Sequence, residues 1–210
     1  MVIAVYNNKG GVGKTSLVAH VGFRAMELQK EITVFDADLQ SNAVEWLTNG
    51  QWDNSTTLTR GSVTITTDQD ELEQSDFSII DCPPAFEVVK NFPNVNIWIV
   101  PVSGRFSVAG AMNVVEQVKT YSQNSRIVLV ANMVDARTNF GKKELEEINK
   151  LDVELFKYPI ARHDVIGKAE MQCVSAWHIP YGIRSNTAVN LRIFSDWVIS
   201  GCNAKGVYHG

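Results

Sequence analysis

Three glycines in four positions, Gly10, Gly11 and Gly13, follow the apolar run Val2-Ile3-Ala4-Val5-Tyr6 and lead straight into Lys14-Thr15-Ser16. This pattern predicts a short buried strand, a glycine loop and the first turn of a helix. Glycines let successive backbone N–H groups converge without Cβ obstruction, and a helix starting near Lys14 adds its own unpaired donors and its dipole. Such a concavity accepts a polyphosphate. Lys9, Gly10, Gly11, Val12, Gly13, Lys14, Thr15 and Ser16 would then line the phosphates, with Lys14 on the β and γ groups and the Thr15 hydroxyl completing the coordination of Mg²⁺.

The general form of this loop, G-x-x-x-x-G-K-[ST], would place its first glycine at position 8. Here that position is Asn8, and an extra lysine, Lys9, follows it. Two further apolar segments end on acids: residues 32–36 run into Asp36-Ala37-Asp38-Leu39-Gln40, and residues 77–81 close on Asp81 before Cys82-Pro83-Pro84. In open α/β sheets ligands gather outside the carboxyl ends of the strands, so these carboxylates point toward whatever the loop holds. Asp81 reads as the single strand-end carboxylate of a Walker B segment, with the prolines stopping the strand. An aspartate pair at a strand end also reads as a helix cap, here for residues 41–47, and both readings stay open for Asp36 and Asp38.

Apolar runs at 63–66, 96–100, 126–131 and 154–158 supply more strands. Stripes at helical spacing supply helices: Leu17, Val18, Val21, Ala25 and Leu28; Val108, Met112, Val115, Val118 and Tyr121; Val189, Ile193, Phe194 and Trp197. The expected fold is α/β, a single domain over residues 1–210 with a twisted, mostly parallel sheet of about seven strands and helices on both faces. Residues 50–60, rich in Asn, Ser and Thr, read as a surface loop, and 141–150 as a solvated mixed-charge helix.

Composition narrows the function. A net charge of −4 offers no overall attraction to nucleic acid or anionic lipid, so DNA binding would require a local patch, for which Arg162, Lys168, Arg184 and Arg192 are candidates. Cys82, Cys173 and Cys202 are odd in number and scattered, which argues against a disulfide framework and against zinc or iron–sulfur ligation. His163, His178 and His209 lack partners at metal spacing. No segment approaches the ~18 apolar residues of a membrane span, and the expected location is cytoplasmic.

The form K-G-G-V-G-K-T, with Lys9 and Lys14, resembles the deviant phosphate loop of the ParA/MinD family of ATPases, in particular the short ParA-type partition and positioning members, including the McdA-like ones that position carboxysomes. The likeness continues through Asp36 to Gln40, where the family carries D-x-D-P-Q, through Asp81, through Asn132-Met133-Val134-Asp135-Ala136-Arg137-Thr138, and through the turn at 159–162. It implies a P-loop fold and slow hydrolysis of ATP with Mg²⁺. Lys9, Lys14 and Asp38 would be the catalytic set, Asp38 orienting the attacking water. Thr15, Asp36 and Asp81 would serve the metal, and Asn132 would lie at the adenine. In the family Lys9 reaches the partner's phosphates, so the ATP-bound form would be a homodimer, with Arg105 and Phe106 at its face. Leu39 replaces the usual proline, which implies a less rigid turn. The resemblance further implies nonspecific binding to nucleoid DNA, an adaptor of ParB or McdB type, and a plasmid, chromosome region or carboxysome as cargo. The alternatives are a MinD-like membrane ATPase, which needs a basic amphipathic C-terminal helix that residues 202–210 do not resemble, and a metabolic ATP-dependent enzyme on the same fold.

Overall fold

Successive side chains of a strand face opposite ways. The first strand therefore feeds two cores: Ile3 and Val5 join one buried cluster, Ala4 and Tyr6 the other. A computed structural model describes residues 1–52, 56–92, 94–103 and 107–209. In chain order its elements are β1 (Val2–Val5), α1 (Lys14–Leu28), β2 (Ile32–Asp36), α2 (Asn42–Thr48), β3 (Thr57–Arg60), β4 (Val63–Thr66), α3 (Gln69–Gln74), β5 (Ser78–Asp81), α4 (Phe86–Val89), β6 (Val95–Val102), α5 (Ser107–Tyr121), β7 (Arg126–Ala131), α6 (Asn139–Asn149), β8 (Glu154–Phe156), α7 (Asp164–Met171), α8 (Asn186–Ile199) and β9 (Val207–His209). Single 3₁₀ turns occupy Ala176–His178, Gly182–Arg184 and Ala204–Gly206.

Among the described residues nine strands form one sheet in the order β3-β4-β2-β5-β1-β6-β7-β8-β9. The interior pairs are parallel, and β3 and β9 pair antiparallel at the two edges. One core packs α1, α2, α7 and α8 against the sheet; the other holds α5 with Leu72, Val89 and Ile148 from α3, α4 and α6. The seven expected strands are present and the two edge strands are additional. β3 lies within the stretch expected to be a loop, where its Thr57 and Thr59 pair with Thr66 and Thr64 of β4. β9 pairs its Val207, Tyr208 and His209 with Phe156, Leu155 and Glu154 of β8. The Arg126 guanidinium on β7 braces that edge, its Nε donating to both Glu154 carboxylate oxygens at 2.9 Å and its Nη1 to the Cys202 carbonyl. The mixed-charge helix α6 is not wholly solvated, since Gly141, Glu144 and Ile148 are buried.

Parallel order brings β1, β2 and β5 side by side, with Val5 level with Asp81 and Asp36 level with Asp81. Their carboxyl ends therefore form one rim. The helices are not all capped alike. α3, α6, α7 and α8 each begin on a side chain that accepts a backbone N–H: Asp68, Thr138, His163 and Ser185. α1 begins on Gly13, which has no side chain to offer, so its first-turn donors face the rim uncapped.

α1 is tied to the 3₁₀ turn Ala176–His178, between α7 and α8, through a buried imidazole. His20 is fully buried, its Nδ1–H donating to Ser16 O at 2.6 Å and its Nε2 accepting from Ala176 N–H at 3.0 Å, which fixes the neutral tautomer. The Trp46 and Trp177 rings lie against it, with centroids 5.3 and 5.5 Å away. Burial lowers its pKa to about 4, against the opposing pull of the Ser16 carbonyl. An unfolded histidine takes up its proton near pH 6.5, so the stability His20 contributes is complete above that pH and is lost as pH falls from 6.5 toward 4. Buried carboxylates at the rim work in the opposite direction, and a difference measurement separates the two. Chemical denaturation of wild type and His20→Gln should show the wild type losing about 3 kcal/mol relative to the variant between pH 7 and pH 4; a pH-independent difference would contradict this account of the imidazole.

Candidate functional site

The glycine loop has the backbone it was expected to have. Gly11 and Gly13 have φ of +72° and +86°, values that L side chains rarely adopt. A Cβ on Gly13 would lie 2.4 Å from Asn132 Nδ2 and 3.0 Å from the Met133 side chain, whereas Cβ atoms on Gly10 or Gly11 would meet nothing within 4 Å. The loop is thus packed from below and open from above. Val12 is buried, and Lys14 is buried with 8% of its surface exposed. Its Nζ donates to Asn7 O at 3.2 Å and Lys9 O at 3.4 Å. Burial lowers the Lys14 pKa, while the carboxylates of Asp81 and Asp38 favour its charge. Lys9 stands outside: it is exposed, and its ammonium makes no hydrogen bond or ion pair among the described residues. The Ser16 hydroxyl is buried without a partner.

The three carboxylates of the rim play different parts. Asp81, at the end of β5, is 1% exposed and neither oxygen has a hydrogen-bond partner. Burial first, and the neighbouring Asp36 second, push its pKa up to about 7; the nearby Thr15 hydroxyl and Lys14 pull it down, Thr15 lying outside hydrogen-bond geometry. Asp36 is the helix cap. Its Oδ2 accepts from Ala43 N–H at 2.9 Å and Val44 N–H at 3.1 Å, and its Oδ1 from Asp38 N–H at 3.1 Å. These three backbone donors make it the cap of α2. Burial still raises its pKa to about 6 against those three donors.

Asp38 lies half-buried at the start of a turn. Its Oδ1 accepts from Gln40 N–H at 3.1 Å and its carbonyl from Ser41 N–H at 2.9 Å. With the bond to Asp36, three hydrogen bonds hold this turn, and it needs no proline for rigidity; Leu39 projects from it 98% exposed. Cys82, fully buried beside Asp81, has its thiol pKa pushed far up by burial and offers no nucleophile.

Asn132 is placed beneath the loop, not on an open face where it could read a base. It is 2% exposed, its Nδ2 donates to Val12 O at 2.7 Å, and its backbone joins β6 through Val102 O at 2.8 Å. It acts as a strut that fixes the height of the loop above β7. Beyond it lies a cavity of about 440 Å³ lined by Val134 to Arg137, by Pro159, Ala161 and His163, and by residues 184–187 and Asn190 at the start of α8. The Arg137 guanidinium there is engaged by Asp135, with Nη2 2.8 Å from Oδ2. Of the candidate basic patch, Lys168 is paired with Asp164 at 2.6 Å, Arg184 lies over the Tyr181 ring at 5.8 Å, Arg162 is exposed and Arg192 is half-buried. Arg105 and Phe106 lie outside the described residues.

The structure adds Asn7 to the residues that hold the loop, and gives Asn132 a bond to it as well. A buried amide leaves no signal in composition or periodicity; only its position directly before the loop, or after the apolar strand of β7, could have suggested it.

A glycine loop opening an uncapped helix at the carboxyl end of a central parallel strand, with one partnerless aspartate beside it, defines a phosphate-binding α/β domain. The comparisons agree. The profile of the CobQ/CobB/MinD/ParA nucleotide binding domain matches residues 3–173, and the chain belongs to that family. It is 24% identical to the sporulation initiation inhibitor protein Soj of Bacillus subtilis over 199 residues, covering 71% of this chain and 79% of Soj. Among solved structures it resembles the septum site-determining protein MinD of Pyrococcus horikoshii complexed with Mg-ADP, with a TM-score of 0.73 at 18% identity, covering 97% of this chain and 98% of the other. Cobyrinic acid a,c-diamide synthase of Mycobacterium smegmatis, solved with an ATP analogue and magnesium, is similar with a TM-score of 0.69 at 19% identity over 97% and 96%. These likenesses carry the fold.

The residues present fit a magnesium–nucleotide. Among the described residues no group of three or more His, Cys, Asp or Glu forms a protein-only cage. Mg²⁺ is commonly held by one or two carboxylates together with substrate phosphates, and a buried carboxylate with two unpaired oxygens suits that duty. Because the metal needs the ionised carboxyl, Mg²⁺-dependent nucleotide affinity should rise with pH through about 7 and level off above it, and Asp81→Asn should weaken it and flatten the profile; calorimetric titration across pH 6–8 reads both. The sign reverses for folding. A carboxyl with a raised folded pKa stabilises at pH values below its unfolded pKa near 3.8 and loses that contribution as pH rises through about 7. Asp81→Asn should accordingly be more stable than wild type at pH 8 by about 1–3 kcal/mol, a gain that shrinks as pH falls and is gone only near the unfolded pKa of 3.8.

Proposed function

We propose that the protein is a ParA-type positioning ATPase that binds Mg²⁺ and ATP, hydrolyses the nucleotide slowly, and forms an ATP-sandwich homodimer. The observation that carries this reading is Lys9: an exposed lysine with no partner of its own, on a loop whose other lysine is buried at the phosphate cradle. An outward ammonium beside a phosphate site is available to the phosphates of a second chain. Nucleotide state and oligomeric state are thereby linked, since the γ-phosphate supplies the charge that lysines from two chains share and hydrolysis removes it.

In this reading the uncapped first turn of α1 and the Gly10–Gly13 backbone bind the phosphates, and Lys14 exchanges its two carbonyl partners for phosphate oxygens. Thr15 and Asp81 would hold Mg²⁺, which neutralises phosphate charge when bound. Asp38, fixed by its turn, orients the attacking water. Asp36 keeps that turn in place. The cavity beyond Asn132 is assigned to the nucleoside, because its lining includes the segments that follow the carboxyl ends of β7 and β8.

The output is a dimer bound to nucleoid DNA without sequence preference, released when an adaptor of ParB or McdB type stimulates hydrolysis. The cargo is a plasmid, a chromosome region or a protein organelle such as the carboxysome, and the location is cytoplasmic and nucleoid-associated. The likeness to Soj supports this branch of the family. Residues 207–209 form an edge strand, and among the described residues no helix is long and apolar enough to cross a membrane; co-sedimentation with liposomes in the presence of ATP would select the MinD-like membrane-associated alternative. A second reading, an ATP-dependent amidation or ligation enzyme, is favoured by the CobQ and CobB members of the family and by the likeness to cobyrinic acid a,c-diamide synthase. ATP turnover dependent on a small carboxylic acid and independent of DNA would select it.

Sedimentation with Mg²⁺ and a hydrolysis-resistant ATP analogue tests the main reading. Lys9→Ala should leave nucleotide binding to the monomer intact and weaken dimerisation about 30-fold or more. Asp38→Ala should keep the dimer and slow turnover about 100-fold or more. DNA retention of the ATP-locked protein should fall at least about tenfold between ~50 and ~200 mM salt. Equal dimer populations in wild type and Lys9→Ala would remove the cross-subunit role.

A further inference from the structure

Asn7 is the last residue of the buried run before the loop turns outward, and it is 2% exposed. Both ends of its amide are committed. Nδ2 donates to Pro101 O at 2.8 Å, near the carboxyl end of β6, and Oδ1 accepts from Lys9 N–H at 2.9 Å. The second bond closes a local turn of the kind that asparagine side chains form two residues ahead. The Lys9 carbonyl is held from the other side by Lys14 Nζ, and the same ammonium holds the Asn7 carbonyl. Lys9 therefore has both of its backbone polar groups fixed while its side chain remains exposed and unpartnered.

We propose that Asn7 is a positioning residue for Lys9: by anchoring the Lys9 N–H to β6, it holds the lysine backbone in the pose that presents the side chain to a second copy of the chain. The proposal rests on the reading of Lys9 as a lysine shared between two subunits. The chemistry selects asparagine. The position needs one acceptor for the Lys9 N–H and one donor for the Pro101 carbonyl, on a short planar group, and a primary amide provides both. Aspartate would set a carboxylate oxygen against that carbonyl, and serine would keep an acceptor for the turn but reach the strand poorly. Rigid presentation also has an energetic reason: a lysine held in its bound backbone pose loses less conformational freedom when a partner docks.

Two measurements decide the matter, and they fail separately. In the nucleotide-free protein, amide hydrogen exchange at Lys9 should speed up about tenfold or more in Asn7→Ala, with partial restoration in Asn7→Ser and an unchanged thermal transition for the sheet. Unchanged exchange at Lys9 in Asn7→Ala overturns the positioning role whatever the oligomeric behaviour. In sedimentation with Mg²⁺ and a hydrolysis-resistant ATP analogue, Asn7→Ala should weaken dimerisation while monomer affinity for the nucleotide changes less than about threefold, and Asn7→Ala combined with Lys9→Ala should dimerise within about twofold of Lys9→Ala alone. Losses that multiply in the double variant mean that Asn7 acts independently of Lys9 and overturn the proposal. A wild-type protein that stays monomeric with the analogue overturns the shared-lysine reading itself, and the exchange result then still reports whether Asn7 fixes the loop.

Discussion

The structure turns on charge held in a dry place. At the carboxyl ends of β1, β2 and β5 a buried lysine and two buried aspartates lie close enough to feel one another, and burial opposes the ionised form of all three. Each is reconciled with the interior differently. Lys14 uses loop carbonyls and the attraction of nearby carboxylates, Asp36 uses three backbone donors, and Asp81 is left with unpaired oxygens and a pKa near neutrality. An uncompensated buried carboxylate is costly to folding. Its placement beside the loop is the clearest sign that this part of the chain is built for a ligand, because nothing in the packing of the two cores requires a charge there.

The fold supplies the rest by making that corner rigid. Strand pairing sets Asp36 and Asp81 level, the Asn132 amide supports the loop from β7, and the Asn7 amide ties it to β6. Asparagine suits both places: each amide donates to a backbone carbonyl on a short planar group, and at Asn7 the same group also accepts. The two lysines are divided by the same geometry into an inward one and an outward one, and that division is what a sandwich of two nucleotides between two chains would require.

Much of this was legible in the sequence. The glycine spacing fixed the loop and the start of α1, and the apolar runs ending on Asp36 and Asp81 placed both strands and their acids. The edge strands were not legible, because Thr57–Arg60 and Val207–His209 are short, and their state depends on a neighbour that offers unpaired backbone groups. The division of labour between Asp36 and Asp38 was open for a related reason. A cap and a metal ligand call for the same side chain at the same place, and only the direction of the Ala43 and Val44 N–H groups separates them. The bond from Asn132 to Val12 was not legible either, because the same amide can serve a base or a backbone.

The Asp36 cap has a mechanical side. Its two oxygens grip the first turn of α2 and the N–H of Asp38 together, so the short helix and the turn that carries Asp38 move as one piece. That helix is seated by buried Leu47 and Trp46, the latter donating its indole N–H to Val174 O in the segment that follows α7. A substitution far from the loop, in the packing around Trp46, would thus tilt the lever on which the Asp38 carboxylate is mounted and, under the proposed function, alter the pace of the nucleotide cycle while leaving the cradle itself intact.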